Sequence, residues 1–222
     1  HDSTGGGSNS LVQVDSDTYA LAYSGKNVDG FISTFTIDSD GDITAVKTQS
    51  EGNNLEHDTH RGQSNSLVQV DSDTYALSYM GDGNAGYIST FTIDSSGNIT
   101  AVKTQSEGNN LKHDLLGFEP SSLVQVDSDT YALAYTGADM DGFISTFTID
   151  SDGDITAVKT QSEGNNFEHD TDNARSSSLV QVDSDTYMLA YATCCGSQGT
   201  SGAISTVTID SDGNITAVLT QS

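Results

Sequence analysis

The residues with the clearest capacity for chemistry are aspartates in a turn that recurs along the chain, first as DSDGD at positions 38–42. Carboxylates at alternate positions beside a glycine resemble the first half of a calcium-binding loop, and Ca²⁺ prefers six to eight oxygen ligands. The bidentate glutamate that completes such a loop is missing, and a hairpin turn uses the same residues for backbone reasons. We predict Ca²⁺ as the cofactor of these turns, with a plain hairpin turn as the alternative. The candidate metal ligands are Asp38, Asp40, Asp42, Asp94, Asp150, Asp152, Asp154, Asp210 and Asp212.

A second pattern places an aspartate directly after His57, His113 and His169, and the histidines are 56 residues apart. A histidine beside a carboxylate has the residue types of an acid–base or metal site. The same pair is copied in every repeat, and we therefore predict that these histidines are structural and hydrogen-bond the connection between repeats. The sequence has no glycine-rich phosphate loop, Cys/His zinc spacing or nucleophile elbow. It predicts that the chain is not an enzyme.

Cys194 and Cys195 are the only two cysteines, and they are adjacent. They lie in an insertion that lengthens a variable loop of the fourth repeat. A vicinal disulfide between them, a disulfide to another chain and two free thiols all remain open. An exposed pair is more readily oxidised outside the cell.

A unit of 56 residues, marked by Leu11, Leu67, Leu123 and Leu179, occurs four times and positions all of these residues. A fixed period of about this size is typical of propellers, solenoids and arrays. Alternating apolar residues within each unit predict four short strands, separated by turns rich in Asp, Ser and Gly. We therefore predict an all-β fold, a four-bladed β-propeller with four antiparallel strands per blade. Part of a larger propeller and a β-solenoid are the alternatives.

We predict a single domain over residues 1–222, with repeats at approximately 1–50, 51–106, 107–162 and 163–222. The Tyr-Leu-Tyr face of each repeat is expected to pack between neighbouring blades. The segment from Glu51 to Asn65 is predicted to connect one blade to the next. Because the chain starts and stops at repeat joints, closure of the ring would depend on packing of the fourth blade on the first.

The composition is strongly acidic, with seven Lys and Arg residues against 32 Asp and Glu residues and a net charge of −25 at pH 7. Such a surface repels phosphate backbones and anionic lipids, which excludes nucleic acid as a partner. No apolar run reaches the length of a membrane span, so no membrane insertion is predicted. Because acidic surfaces keep proteins soluble in salt-rich water, we predict an extracellular or cell-surface location.

The repeat text SLVQVDSDTYALAY, followed by DGFISTFTIDSDGDIT and EHDT, resembles the tandem repeats of uncharacterised secreted β-propeller proteins of environmental microbes. The resemblance covers essentially the whole chain. It implies a propeller fold and an exported, surface-associated protein. It implies no activity, ligand or catalytic residue.

Two functions fit these features. The first is an extracellular structural subunit that self-associates into a filament or surface layer, with cations held on an acidic face. The alternative is a multivalent lectin or adhesin that binds glycans at one shallow site per blade. Sugar sites commonly use an aromatic platform, and the chain contains no tryptophan. We therefore favour self-association.

Overall fold

A computed structural model describes residues 6–47, 55–103, 111–114, 119–159, 167–171, 173–196 and 199–221. The regular structure in these ranges is all strand, apart from 3₁₀ turns of three residues at Lys26–Val28, Asp82–Asn84 and Ala138–Met140. The predicted all-β class is confirmed. No helix within the described ranges has the length and apolar character needed to cross a bilayer.

The strands form four antiparallel sheets, one for each repeat. Sheet 1 contains β1 (Gly7–Gln13), β2 (Thr18–Ser24), β3 (Gly30–Ile37), β4 (Ile43–Lys47) and β5 (Leu55–Asp58). Sheet 2 contains β6 (Gln63–Gln69), β7 (Thr74–Met80), β8 (Gly86–Ile93), β9 (Ile99–Lys103) and β10 (Leu111–Asp114). Sheet 3 contains β11 (Glu119–Gln125), β12 (Thr130–Thr136), β13 (Gly142–Ile149), β14 (Ile155–Lys159) and β15 (Phe167–Asp170). Sheet 4 contains β16 (Ala174–Gln181), β17 (Thr186–Gly196), β18 (Gly199–Ile209) and β19 (Ile215–Gln221).

Strand pairing follows the period-two alternation of side chains. In sheet 1, Tyr19 lies opposite Phe35, and Tyr23 lies opposite Phe31. These aromatic residues occupy one side of the sheet, whereas Ala20 on the other side is fully buried. Alternate residues of a strand point to opposite faces, so each sheet presents one face rich in aromatic residues and one face of alanine, threonine and aliphatic residues.

The short fifth strand belongs to the sheet formed by the strands that precede it. β5 pairs with β3 of its own sheet, with Gly30 opposite Asp58 and Ile32 opposite Leu55. The prediction that the whole segment from Glu51 to Asn65 links two repeats is therefore wrong for β5, which prolongs the outer edge of sheet 1. The connection to sheet 2 consists of residues 59–62 only.

The insertion in the fourth repeat forms strand instead of loop. β17 and β18 are 11 residues each, and their pairing extends to Gly196 opposite Gly199. The backbone of Cys194 and Cys195 lies in β17, in a hairpin that is longer than its counterparts. The side chains of both cysteines lie outside the described part of the structure, so the disulfide stays a prediction.

The chain falls into two compact units. Unit 1 comprises residues 1–82, 87–111 and 150–154, and unit 2 comprises residues 83–86, 112–149 and 155–222. Unit 1 contains sheet 1 and most of sheet 2, and unit 2 contains sheets 3 and 4. The expectation of a single domain over residues 1–222 stays a prediction.

Candidate functional site

The two faces of each sheet differ, and we name them by chain order. The leading face packs against the next sheet of a unit, and the trailing face packs against the preceding sheet. In unit 2, the leading face of sheet 3 and the trailing face of sheet 4 share one apolar core. Its members include Ala132, Ala134 and Ile144 from sheet 3, and Leu179, Tyr187, Leu189, Tyr191 and Val207 from sheet 4. The expectation that the Tyr-Leu-Tyr face packs between neighbouring sheets is confirmed in this unit.

Threonine hydroxyls of the leading face bind the turn of the next sheet. In unit 1, the Thr34 hydroxyl donates to the Gly97 carbonyl at 2.8 Å. In unit 2, the Thr146 hydroxyl donates to the Gly213 carbonyl, also at 2.8 Å. Both threonines are fully buried. The contact between sheets is therefore repeated in its polar geometry as well as in its apolar packing.

A serine of the leading face makes a second repeated contact. The backbone N–H of Leu67 donates to the Ser10 hydroxyl at 2.9 Å in unit 1. The backbone N–H of Leu179 donates to the Ser122 hydroxyl at 3.1 Å in unit 2. These bonds join the first strands of adjacent sheets and fix their relative register.

The aspartates predicted to bind calcium lie on exposed turns between the third and fourth strands of each sheet. Asp94 Oδ1 accepts hydrogen bonds from the backbone N–H groups of Ser96 and Asn98, both at 2.9 Å. These bonds hold a turn in which Gly97 has a φ of +76°, and the same glycine supplies the carbonyl bound by Thr34. Among the described residues, no three His, Cys, Asp or Glu side chains converge to hold a metal ion. The calcium site stays a prediction, while the turn has a structural role.

The rings of His57, His113 and His169 each pack between two adjacent sheets, and we call them the histidine wedges. The His57 ring packs edge-on against Tyr79 of sheet 2, with ring centroids 4.6 Å apart. His113 packs in the same way against Tyr135, and His169 against Tyr191. Burial lowers the pKa of His57 and His113 to about 3 and that of His169 to about 4. All three rings are therefore neutral at physiological pH, which does not suit a general base acting near neutrality.

The predicted structural role of these histidines agrees with this packing, but one detail is wrong. Neither ring nitrogen of His57 has a hydrogen-bond partner in the described part of the chain, so this ring does not hydrogen-bond the connection as expected. It contacts the connection closely instead, because a Cβ added at Gly62 would lie 3.1 Å from His57 Cε1. His1, the first histidine in the series, lies outside the described residues.

The aspartate next to the wedge shapes the connection between sheets 1 and 2. Asp58 Oδ1 accepts hydrogen bonds from the backbone N–H groups of His60 and Arg61, at 2.9 and 3.0 Å. Burial is the main cause that raises the pKa of the Asp58 carboxyl. The His-Asp pair thus has two separate structural roles, packing for the histidine and turn formation for the aspartate.

Solved structures match nearly the whole chain, although no known family model and no curated protein matches the sequence. An α-L-arabinofuranosidase from Lactobacillus brevis is 7% identical with a TM-score of 0.53, over 95% of this chain and 71% of that chain. An α-L-arabinanase from Penicillium chrysogenum is 12% identical with a TM-score of 0.54, over 97% and 66%. A mutant of the Aleuria aurantia lectin is 10% identical with a TM-score of 0.51, over 92% and 58%. All three are β-propellers. Each sheet is a propeller blade.

This similarity corrects one conclusion drawn from the sequence. The prediction that the chain is not an enzyme is wrong as an exclusion drawn from missing motifs, because the chain shares its fold with an arabinofuranosidase and an arabinanase. A search for contiguous motifs does not detect a site whose groups come from separate strands. The resemblance to secreted tandem-repeat proteins has no match at the level of a family and stays an expectation.

Two blade faces differ from their counterparts in exposure. On the trailing face of the first blade, the Leu11 side chain is 60% exposed, whereas the equivalent Leu67 of the second blade is 6% exposed. On the leading face of the fourth blade, the Ile204 side chain is 51% exposed, whereas the equivalent Ile144 is fully buried. The sequence gives no sign of this difference, because the residue types at both pairs of positions are the same.

The aromatic residues near the start of the third strand in the first three blades are not available as sugar platforms. Phe31, Tyr87 and Phe143 are all buried. Each packs on a tyrosine of the same blade, with ring centroids 5.6–5.7 Å apart. These rings belong to the core between strands, and a bound sugar would have to rest on other groups.

Proposed function

We propose that this protein is an extracellular repeat protein whose copies self-associate through their blade faces, as the subunit of a filament or surface layer. The observation that carries the proposal is the pair of exposed apolar faces on the first and fourth blades. Leu11 and Ile43 are exposed on the first blade, and Val180, Met188 and Ile204 on the fourth. Exposed apolar patches of this kind mark interaction sites on soluble proteins.

The occupant that fits these faces is another copy of the same chain. Within unit 2, the leading face of one blade already packs on the trailing face of the next. The fourth blade leaves a leading face exposed, and the first blade leaves a trailing face exposed. These are the two kinds of face that pack together inside unit 2. Fully burying one leucine or isoleucine contributes roughly 1.5–3 kcal/mol, so a few such residues supply a useful driving force for association.

Electrostatic repulsion opposes this association. Every copy carries a net charge of −25, and the repulsion between copies acts over the screening length of the solution. That length falls from about 30 Å at 0.01 M salt to about 8 Å at 0.15 M salt. The proposed association therefore needs about 0.15 M salt or more.

Light scattering on the purified protein tests this proposal. We expect a monomer mass at 0.01 M salt and a mass that rises with protein concentration at 0.15 M salt and above. A monomer mass at every salt and protein concentration would refute self-association. Glycan binding can be tested in parallel with the same material on a glycan array.

Glycan binding is the second candidate function. The observation that favours it is the fold shared with the Aleuria aurantia lectin. The exposed 3₁₀ turns between the second and third strands, which differ from blade to blade, are the surface that would contact a sugar. Selective retention of the monomer on particular glycans would support this function over assembly.

A further inference from the structure

We infer that the contact between copies is head to tail and is selected by three hydroxyl groups of the fourth blade: those of Thr206, Thr186 and Ser178. This inference rests on the proposed self-association and specifies its geometry. Each hydroxyl has a counterpart in the earlier blades that already binds a neighbouring blade of its own unit. The partner that we assign to these groups is a second copy of this chain, which presents the trailing face of its first blade; a chain whose fourth blade closed on its own first blade would instead stay monomeric.

Thr206 is the central residue of this set. It corresponds to Thr34 and Thr146, which are fully buried and bind the Gly97 and Gly213 carbonyls. Thr206 is only half-buried. The carbonyl that would receive its hydrogen bond belongs to Gly41 of the second copy, the counterpart of Gly97 and Gly213.

The Gly41 turn has the shape that this bond needs. Gly41 has a φ of +85°, close to the +76° of both Gly97 and Gly213. Asp38 Oδ1 holds the turn by accepting a hydrogen bond from the backbone N–H of Asp42 at 2.9 Å. Gly97 and Gly213 are buried by the adjoining blade, whereas Gly41 is exposed. The acceptor of the first blade is thus formed and uncovered.

Thr186 supplies the second hydroxyl. It corresponds to Thr130, which donates to the Ser211 carbonyl at 2.9 Å and is buried. Thr186 is half-buried. Its acceptor on the second copy would be the Ser39 carbonyl, in the same turn as Gly41.

Ser178 supplies the third hydroxyl. It corresponds to Ser10 and Ser122, which accept hydrogen bonds from the backbone N–H groups of Leu67 and Leu179. Those two serines are half-buried, and Ser178 is exposed. The donor on the second copy would be the backbone N–H of Leu11.

This arrangement has a direction. The side-chain hydroxyls lie on the leading face, and the turn carbonyls lie beside the trailing face. A face that met its own copy would bring together two sets of hydroxyls or two sets of turns, and neither pairing reproduces the bonds found within the units. The contact is therefore heterologous, and repeated heterologous contacts produce open chains unless the rotation closes them into a ring.

Two variants with one blocked face each test the direction of the contact. Leu11→Glu places a charge on the trailing face, and Ile204→Glu places one on the leading face; both positions are exposed. Sedimentation velocity at 0.15 M salt should show each variant alone as a monomer and an equimolar mixture as a 1:1 dimer. Val28→Glu, at an exposed loop position with the same added charge, should associate like the parent protein. Circular dichroism checks that all three variants fold.

The outcomes separate this inference from the proposed function. A parent protein that stays monomeric refutes self-association itself. A parent protein that associates while either blocked variant still dimerises alone, or while the mixture stays monomeric, overturns the head-to-tail geometry and leaves self-association standing.

The hydroxyl contribution is tested by Thr206→Val, which keeps the shape of the side chain and removes the donor. Since a buried acceptor is then left without a partner, association should weaken roughly tenfold. Thr146→Val removes the equivalent bond inside the chain, so it should lower stability and leave the association constant unchanged. Equal association constants for Thr206→Val and the parent protein would show that Thr206 does not contribute to the contact between copies.

Discussion

Glycine at the start of the third strand is a direct consequence of the histidine wedge. A Cβ added at Gly30 would lie 2.4 Å from His57 Cε1, and one added at Gly142 would lie 2.3 Å from His169 Cε1. At Gly202, the equivalent position of the fourth blade, nothing lies within 4 Å. Glycine is therefore required at positions 30 and 142, whereas a larger residue fits at position 202.

The substitution Gly30→Ala should lower the free energy of unfolding by about 1–3 kcal/mol, because it forces an extra methyl group into a filled space. The matched substitution Gly202→Ala should leave stability unchanged or raise it slightly, since glycine weakens a strand interior. Urea denaturation of both variants measures the difference. Equal losses at both positions would show that the wedge does not explain the glycine.

The histidine wedges also make stability depend on pH. Burial holds the pKa of His57 near 3, below its ordinary value of about 6.5, so the folded state favours the neutral ring. The stabilisation that the neutral His57 ring gives the folded state is complete above pH 6.5, and it is lost as the pH falls from 6.5 towards 3. As the pH falls through that window, His57 and His113 each lower the free energy of unfolding by about 1.4 kcal/mol per pH unit. The window of His169 ends near pH 4.

A His57→Phe variant isolates this effect, because a phenyl ring can pack against Tyr79 and cannot take up a proton. Its unfolding free energy should fall less between pH 6.5 and pH 4.5 than that of the parent protein. Val182→Phe, which adds a phenyl ring at an exposed position, is the control and should keep the parental pH dependence. A His57→Phe variant with the parental pH dependence would show that the buried His57 ring does not cause it.

Among the elements, the aspartate turns connect local structure to contacts between blades. The Asp94 carboxylate binds the backbone of its own turn, and the Gly97 carbonyl of that turn accepts the Thr34 hydroxyl. This role needs a single carboxylate in each turn. The second blade has Ser96 and Asn98 where the first blade has Asp40 and Asp42. The turn therefore does not need the carboxylates of Asp40 and Asp42, and these two are the candidates for binding a cation.

If these turns bind Ca²⁺, chelation at constant ionic strength should lower the melting temperature, since a ligand at a hundred times its Kd stabilises by roughly 2.7 kcal/mol per site. Converting the first turn to the second-blade sequence, with Asp40→Ser and Asp42→Asn, should reduce that effect. Calorimetric melts with and without chelator measure it. If chelator does not change the melting temperature, and if sodium and calcium raise it equally at matched ionic strength, charge screening alone accounts for the stabilisation.

The alternating apolar residues and the Asp, Ser and Gly turns were sufficient to predict the strands, since side-chain period and turn chemistry are local properties. The pairing of β5 with β3 was not predictable in this way, because four residues show no clear period and the pairing depends on the fold. The long hairpin around Cys194 is a similar case, since its small and polar residues read as loop. The exposure of Leu11 and Ile204 depends on neighbours in space, which identical repeat sequences cannot reveal.

On the scale of the whole molecule, repetition supplies the same pair of complementary faces four times. Hydroxyl–carbonyl bonds join leading and trailing faces in both units, and in unit 2 the two faces also share an apolar core. The exposed faces of the first and fourth blades carry the same polar groups, and the fourth blade differs in having Met188 where the other blades have Ala20, Ala76 and Ala132. A second copy can therefore use a contact that the chain has already formed internally.

Electron microscopy of the purified protein at 0.15 M salt tests this central claim most directly. We predict open chains or closed rings of copies joined through their first and fourth blades, with their length reduced at 0.01 M salt and by Ile204→Glu. Single, separate particles at every salt concentration, or pairs joined through the 3₁₀ turns, would contradict the account.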